Sequence, residues 1–290
     1  MHKKYKIHYF IRLFLSLNIF FFIFFIIFFS GFSVTEVNAS TWIFSGGNSY
    51  TVGTIKISKS DKNVIYAHGN KPSGETDFLK SINSGTTWFS SLGDLPQNPD
   101  INSIAIHPNN PDIVYIGIYD KGVYLTKDGG ETWSNINTSE LEGKFIRSLA
   151  IDTNNPYILF VGTGKTRLDG GIYKSTNGGK NWVVKEKNIG KPNIMQIVIS
   201  PHNSNIVYVS ADKVWKSEDG GETWNISLNQ EVSTALAIDP INHKIIYAGP
   251  VNDGIYKTTN EGASWNKISQ GLGNKRIHCI VVNPLDNNQV

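Results

Sequence analysis

Among the predicted loops, the most charged is the run of residues 165–173, in which Asp169 follows Lys165 and Arg167. A carboxylate can act as a general acid or base in glycoside hydrolysis when a second one faces it across the substrate. Asp169 is therefore the candidate catalytic residue. Asp120 and Asp253 occupy the equivalent position elsewhere in the sequence, where Asp-x-Gly or Asp-Gly forms the turn of a hairpin. A catalytic role and a structural role for Asp169 therefore both stay open. Its candidate partners are Glu75, Asp77, Asp94, Asp100, Glu140 and Glu142.

Basic residues in the predicted loops form a second group of candidates. Lys165, Arg167 and Arg276 are candidates for a positive rim that binds a ligand, to which Asp120 and Asp253 would add polar contacts. The alternative is that these are ordinary solvated charges. Aromatic residues are scarce in the same loops, so no platform for sugar stacking is predicted. The further basic members of this rim are Lys191, Lys275 and His278.

Other kinds of chemistry have no sequence signal. Nucleophilic triads, phosphate-binding glycine loops and zinc-ligand spacings are not apparent. The single cysteine, Cys279, excludes a disulfide within the chain and lies in an apolar run, where we expect a small buried side chain. We predict neither a cofactor nor a metal.

The elements that would position these residues follow from internal repetition. Apolar triplets such as Ile104–Ile106 are followed by a second apolar run such as Val114–Ile116, then by Gly-Ile/Val-Tyr, then by a tryptophan. Five of these tryptophans recur 41 to 49 residues apart. Four short strands in each unit of this length are typical of the blades of a β-propeller. The sequence therefore predicts an all-β propeller of four-stranded antiparallel blades, with the fourth strand of each blade beginning at the tryptophan.

The turn before each tryptophan has the pattern [Ser/Thr]-x-[Asp/Asn]-x-Gly-x-[Ser/Thr]-Trp. Asp or Asn bonds back to nearby N–H groups, Gly accepts a positive φ, and Trp provides a large apolar surface. One carboxylate in a turn is too few ligands for calcium at Asp128 or Asp219, so we assign these residues a structural role. The five turns contain Asn83, Gly85 and Trp88; Asp128, Gly130 and Trp133; Asn177, Gly179 and Trp182; Asp219, Gly221 and Trp224; and Asn260, Gly262 and Trp265.

This pattern resembles the Asp-box (BNR) repeat, found in sialidases, sortilin-type receptors, xyloglucanase-type glycoside hydrolases and photosystem II assembly factors. Five boxes in register cover most of the chain, with departures at Asn181 and Asn83. The resemblance implies a propeller whose chemistry lies on the face opposite the boxes. Residues 165–173 are similar to an Arg-Thr-Asp-x-Gly-Gly-x-Tyr segment that carries a catalytic Asp in xyloglucanase-type enzymes. A sialidase is not indicated, because the Phe-Arg-Ile-Pro motif is absent.

Charge and the first residues bear on location and partners. Residues 1–39 hold four of the 27 basic and one of the 24 acidic residues, so the remainder has 23 of each. A neutral body lacks the basic excess of a nucleic-acid-binding protein. The basic start, the apolar run and Val37-Asn38-Ala39 have the layout of a signal peptide. The apolar residues 13–29 are also long enough for an N-terminal membrane anchor. We predict export in either case.

The sequence therefore divides into residues 1–39, a signal peptide or N-terminal membrane anchor, and residues 42–290, the predicted Asp-box propeller. Five units are complete and a sixth opens near Cys279–Asp286, while Ser40–Ile43 resembles the start of a fourth strand. We expect a propeller that is incomplete at its C-terminal end. The predicted function is an extracytoplasmic binding or scaffold module for a protein or polysaccharide partner. The alternative is a glycoside hydrolase of xyloglucanase type, or a fragment of one.

Overall fold

The computed structural model describes residues 12–13, 40–41, 51–165, 170–230, 232–273 and 275–290. Within them it contains five four-stranded antiparallel sheets, each built from consecutive strands in chain order. This confirms the predicted all-β propeller, and we number the sheets as blades one to five. Their strands are Thr51–Ile57, Ile65–Asn70, Thr76–Ser81 and Phe89–Ser90; Ile101–Ile106, Val114–Ile118, Gly122–Thr126 and Ser134–Asn135; Ile146–Ile151, Leu159–Thr163, Gly171–Ser175 and Val183–Val184; Gln196–Ile199, Val207–Ser210, Val214–Ser217 and Asn225–Leu228; and Val232–Ile238, Ile246–Pro250, Tyr256–Thr258 and Asn266–Lys267.

Neighbouring blades contact each other through their first strands, so these strands lie at the centre of the ring and the fourth strands at its rim. Antiparallel order then places the loops on two faces. We call the side with the first-to-second loops and the Asp boxes the box face. The side with the second-to-third loops and the links between blades is the loop face. The described residues include no helix that could span a membrane.

Each Asp box forms the same turn. In the second box, Gly130 N donates to Thr126 Oγ1 at 2.9 Å and Thr132 N donates to Asp128 Oδ1 at 3.0 Å. The residue pair Gly129–Gly130 has φ angles of 76° and 97°, in the left-handed region that favours glycine. The other four boxes have the same two bonds, with acceptors Ser81 and Asn83, Ser175 and Asn177, Ser217 and Asp219, and Thr258 and Asn260.

The boxes also join the blades. The Trp224 ring is fully buried and its Nε1 donates to Lys185 O of blade three, while Trp133 Nε1 donates to Ser91 O of blade one. A tyrosine in the second strand reaches the box of the next blade, as where Tyr208 Oη donates to Glu261 O at 2.7 Å. A blade has two apolar faces, one toward each neighbouring blade. Burial of aromatic rings between the blades therefore stabilises the stack.

Residues 275–290 repeat the opening of a blade. Asn283 N donates to Gln289 O at 2.9 Å, and Gln289 N donates to Asp286 O at 3.0 Å. The first-to-second loop of each blade closes with the same pair of bonds, as from Asp239 N to Ile245 O. Asn287 Nδ2 contacts Asp239 Oδ2 at 2.8 Å, so this loop packs on blade five. A partial sixth unit is therefore present.

Three local predictions were wrong. The fourth strands begin one residue after the tryptophan. The triplet Ile280–Val282 lies outside any strand. Cys279 is exposed rather than buried. Ser40–Thr41 pairs with Arg12–Leu13, and Trp42 and Ile43, the rest of the predicted fourth strand, lie outside the described residues.

Candidate functional site

The loop face carries a cluster of two aromatic rings and two cations between blades two and three. Tyr119 follows the second strand of blade two, and Phe145 precedes the first strand of blade three. Their ring centroids lie 4.9 Å apart with an interplanar angle of 53°, and both rings are half-buried. We call Tyr119, Phe145, Arg147 and Lys165 the aromatic–cation cluster.

The two cations lie against these rings. The Arg147 guanidinium carbon is 5.3 Å from the Tyr119 centroid, and the Lys165 ammonium is 4.8 Å from the Phe145 centroid. Arg147 Nε donates to Gly164 O at 2.5 Å, which fixes the guanidinium plane at the entrance of the loop that begins there. Lys165 is exposed, so its charge faces solvent. Cation–π contacts of this kind hold a positive charge over an apolar surface.

Sequence reasoning missed this cluster. It expected no aromatic platform because the loops contain few rings, yet two of those few converge across a blade boundary. The signal was available in Phe145-Ile146-Arg147, since the alternation of a strand places Phe145 and Arg147 on one side of it. Tyr119 is brought to the same place because Ile146 N donates to Tyr119 O at 2.9 Å.

The other candidates have varied positions. Arg167 and Asp169 lie outside the described residues, so the catalytic and binding hypotheses for them stay predictions. Asp120 and Arg276 are exposed. Asp253 accepts hydrogen bonds from Lys267 Nζ at 2.5 Å and Tyr256 Oη at 2.7 Å, and these bonds lower its pKa.

Several candidate partner carboxylates are held by local bonds. Asp94 Oδ1 accepts a bond from Trp133 N at 2.6 Å, and Asp77 Oδ1 accepts one from Ser90 Oγ at 2.7 Å. The Thr138 hydroxyl donates to Glu140 and lowers its pKa. A glycosidase general acid needs a raised pKa, so the shifts at Glu140 and Asp253 run against that role.

A buried histidine lies on the same face in blade one. His68 is 7% exposed, and burial lowers its pKa, an effect that Asp100, the Pro99 carbonyl and Asp77 oppose. Its Nε2 atom is buried without a hydrogen-bond partner. His68 therefore stays neutral near pH 7 and provides a polar atom inside the boundary between blades one and two.

The box carboxylates are structural in their contacts. Burial opposes ionisation of Asp219, but bonds from the side chain and backbone of Thr223 and from Ser217 lower its pKa to about 2. Bonds from Thr132 and Thr126 also lower the pKa of Asp128. Among the described residues no group of three or more His, Cys, Asp or Glu side chains is arranged to hold a metal ion.

Comparison with known proteins places this geometry among propellers. The family model described as sortilin, neurotensin receptor 3 (Sortilin-Vps10), matches residues 170–271, which span the boxes of blades three to five. No curated protein matches the chain in sequence.

Solved structures match over most of the chain. The GH74 enzyme of Niastella koreensis is 21% identical with a TM-score of 0.67, covering 81% of this chain and 43% of that one. The GH74 xyloglucanase of Xanthomonas campestris is 16% identical with a TM-score of 0.67, covering 82% and 43%. YCF48 from Cyanidioschyzon merolae is 14% identical with a TM-score of 0.51, covering 76% and 85%. The chain thus spans less than half of the two GH74 proteins, and likeness at these identities shows the fold.

Proposed function

We infer, from the premise that this chain is a β-propeller of the Asp-box (BNR) type, that it is an extracytoplasmic binding module. Its partner would be a protein or a polysaccharide held on the loop face. The observation that carries this proposal is the aromatic–cation cluster, which lies opposite the boxes and away from the bonds that close the blades. Half-buried rings with adjacent cations favour a polysaccharide that carries carboxylates, because sugar faces pack on rings and carboxylates pair with Arg and Lys.

The leader supports the location in this proposal. Its basic start, apolar run and small residues before Ser40 have the layout of an export signal. The neutral remainder agrees with a module that does not bind nucleic acid.

The experiment compares binding of the full chain to polygalacturonate and to neutral xyloglucan by affinity electrophoresis. We expect retardation by polygalacturonate, and we expect Tyr119→Ala and Lys165→Ala to reduce it at least severalfold. Tyr157→Ala is the matched control, because Tyr157 is an exposed aromatic residue on the box face, 67% accessible. If Tyr157→Ala weakens binding and Tyr119→Ala does not, the loop face is the wrong surface.

A glycoside hydrolase is the second candidate, and the fold likeness to two GH74 proteins favours it. Release of reducing ends from xyloglucan by the full chain would support it, provided that Asp169→Asn abolishes the release. Retention of activity in that variant would exclude Asp169 as the acid. Binding without hydrolysis would favour the module.

A further inference from the structure

A cavity lies on the axis of the ring, among the first strands of blades one to four. Its volume is about 230 Å³. Because Lys59, Pro108 and Thr153 belong to first-to-second loops, the cavity opens toward the box face, away from the aromatic–cation cluster. Drug-sized ligands occupy pockets of roughly 300–1,000 Å³, so a ligand of this cavity would be smaller.

Part of the cavity wall is apolar. Ile104, Leu149 and Ile197 contribute side chains that are at most 7% exposed, and Ile106 and Ile151 are half-buried. These residues occupy equivalent positions of successive first strands, so the ring places them side by side. A surface of this kind binds alkyl or aryl groups through the hydrophobic effect.

Two cations interrupt this apolar wall. Lys56 and Lys59 both line the cavity, and neither forms an ion pair in the part of the chain that the structure describes. Lys56 and Lys59 are both exposed, and desolvation by the surrounding protein lowers the pKa of Lys56 while the nearby Cys279 thiol acts in the opposite direction. An ammonium without a counter-charge attracts an anion that enters the same cavity.

A hydroxyl completes the polar side of the cavity. Thr153 Oγ1 is buried and has no hydrogen-bond partner, although Thr153 lines the cavity. The neighbouring carboxylate, Asp152, does not line the cavity, and its Oδ1 accepts a bond from Asn154 N at 2.8 Å within its own loop. The cavity therefore offers two cations beside a partly apolar wall, and the Thr153 hydroxyl can donate to a ligand there once it turns toward the cavity.

We propose that this axial cavity binds a small carboxylate with a short apolar body, with Lys56 and Lys59 pairing with the carboxylate, Thr153 donating to it, and the isoleucine wall packing on the body. The proposal is independent of the function proposed above, because the two sites lie on opposite faces.

The test is a titration of the full chain with hexanoate, followed by saturation-transfer NMR. Hexanamide is the matched ligand, since it has the same body without the charge. We expect hexanoate to bind and hexanamide to bind at least about tenfold more weakly, which corresponds to about 1.4 kcal/mol. Equal binding of the two ligands, or no binding of hexanoate at millimolar concentration, would overturn the proposal.

Variants separate the site from nonspecific attraction. Lys56→Met and Lys59→Met should each weaken hexanoate binding severalfold, whereas Lys62→Met should not, because Lys62 is exposed in the same loop but does not line the cavity. Lys59 is itself exposed, so Lys59→Met keeps the test decisive if Lys56→Met does not fold. Tyr119→Ala should leave hexanoate binding unchanged. A result in which Lys62→Met weakens binding as much as Lys59→Met would refute the assignment.

Discussion

Replacing Gly130 by alanine should destabilise the fold much more than the same change at Gly74. Both glycines have left-handed backbones, with φ of 97° at Gly130 and 87° at Gly74. A Cβ added at Gly130 would lie 2.4 Å from Ser91 Oγ and 2.9 Å from Ser91 O, in the link that follows blade one. A Cβ at Gly74 would meet nothing within 4 Å. The pair therefore separates backbone strain from the packing of one blade on the next.

The magnitudes follow from these two contributions. A non-glycine residue in the left-handed region costs about 1–2 kcal/mol, which is all that Gly74→Ala should lose. Overpacking of a tight contact adds about 1–3 kcal/mol, so Gly130→Ala should lose about 2–5 kcal/mol. Ser91 cannot simply move away, because its hydroxyl donates to Gly129 O at 2.9 Å and its N–H donates to Phe78 O at 2.7 Å.

Urea unfolding followed by tryptophan fluorescence measures both free energies. Gly221→Ala serves as a second interface variant, because its Cβ would lie 2.7 Å from the Phe160 ring of blade three. We expect Gly130→Ala and Gly221→Ala to lower the unfolding midpoint clearly more than Gly74→Ala. Equal losses at all three positions would show that the boxes act only as local turns and do not hold the blades together.

Two further predictions concern the boxes and the tyrosines. The pKa of Asp219 is about 2 in the folded state, below the value of about 3.9 for an unfolded Asp. Its contribution to folding stability is therefore present above pH 4 and is lost as the pH falls through 2. Asp219→Asn should reduce this pH dependence of stability in unfolding curves at pH 7 and 3, and an unchanged pH dependence would contradict the prediction. Because Asp219 is exposed, we expect the effect to be about 1 kcal/mol or less. Tyr208→Phe should lower the free energy of unfolding in urea by about 0.5–1.5 kcal/mol, since it removes the hydrogen bond from Tyr208 Oη to Glu261 O but keeps the ring. A loss above 3 kcal/mol would mean that the ring also moves. Phe160 occupies the same position in blade three, which shows that the ring alone is compatible with the fold.

Most of the fold could be predicted from the sequence because its stabilising contacts repeat. The turn from Thr126 to Thr132 contains both partners of its two hydrogen bonds, so the local sequence specifies the geometry. Strand lengths were less predictable. The first strand of blade one extends from Thr51, well before the apolar triplet, and its register shifts between Val52 and Thr54. A bulge of this kind breaks the alternation on which a sequence-based prediction depends.

The candidate site was harder to predict because its contacts join distant parts of the chain. Tyr119 and Phe145 meet across a blade boundary, and the loop that contains Lys165 brings the second cation from the next blade. Each of these residues lies at the end of a strand or in a loop, where the repeat pattern does not mark it. The axial cavity is less visible still, since Lys56 interrupts an apolar triplet and has no distinctive neighbours. Only the packing of successive blades around one axis assembles such groups.

The exceptions to the repeat are therefore more informative about function than the repeat itself. In blades two, three and five a glycine in the second strand makes room for an isoleucine of the next unit, pairing Gly117 with Ile146, Gly162 with Ile194 and Gly249 with Ile277. Blades one and four place His68 and Ser210 in this position, and both leave a buried polar atom without a partner. Buried polar groups without partners cost free energy, so stacking alone does not explain them. Lys56 is a further exception to the repeat, because the other described first strands have Ala or Val in the middle of the triplet.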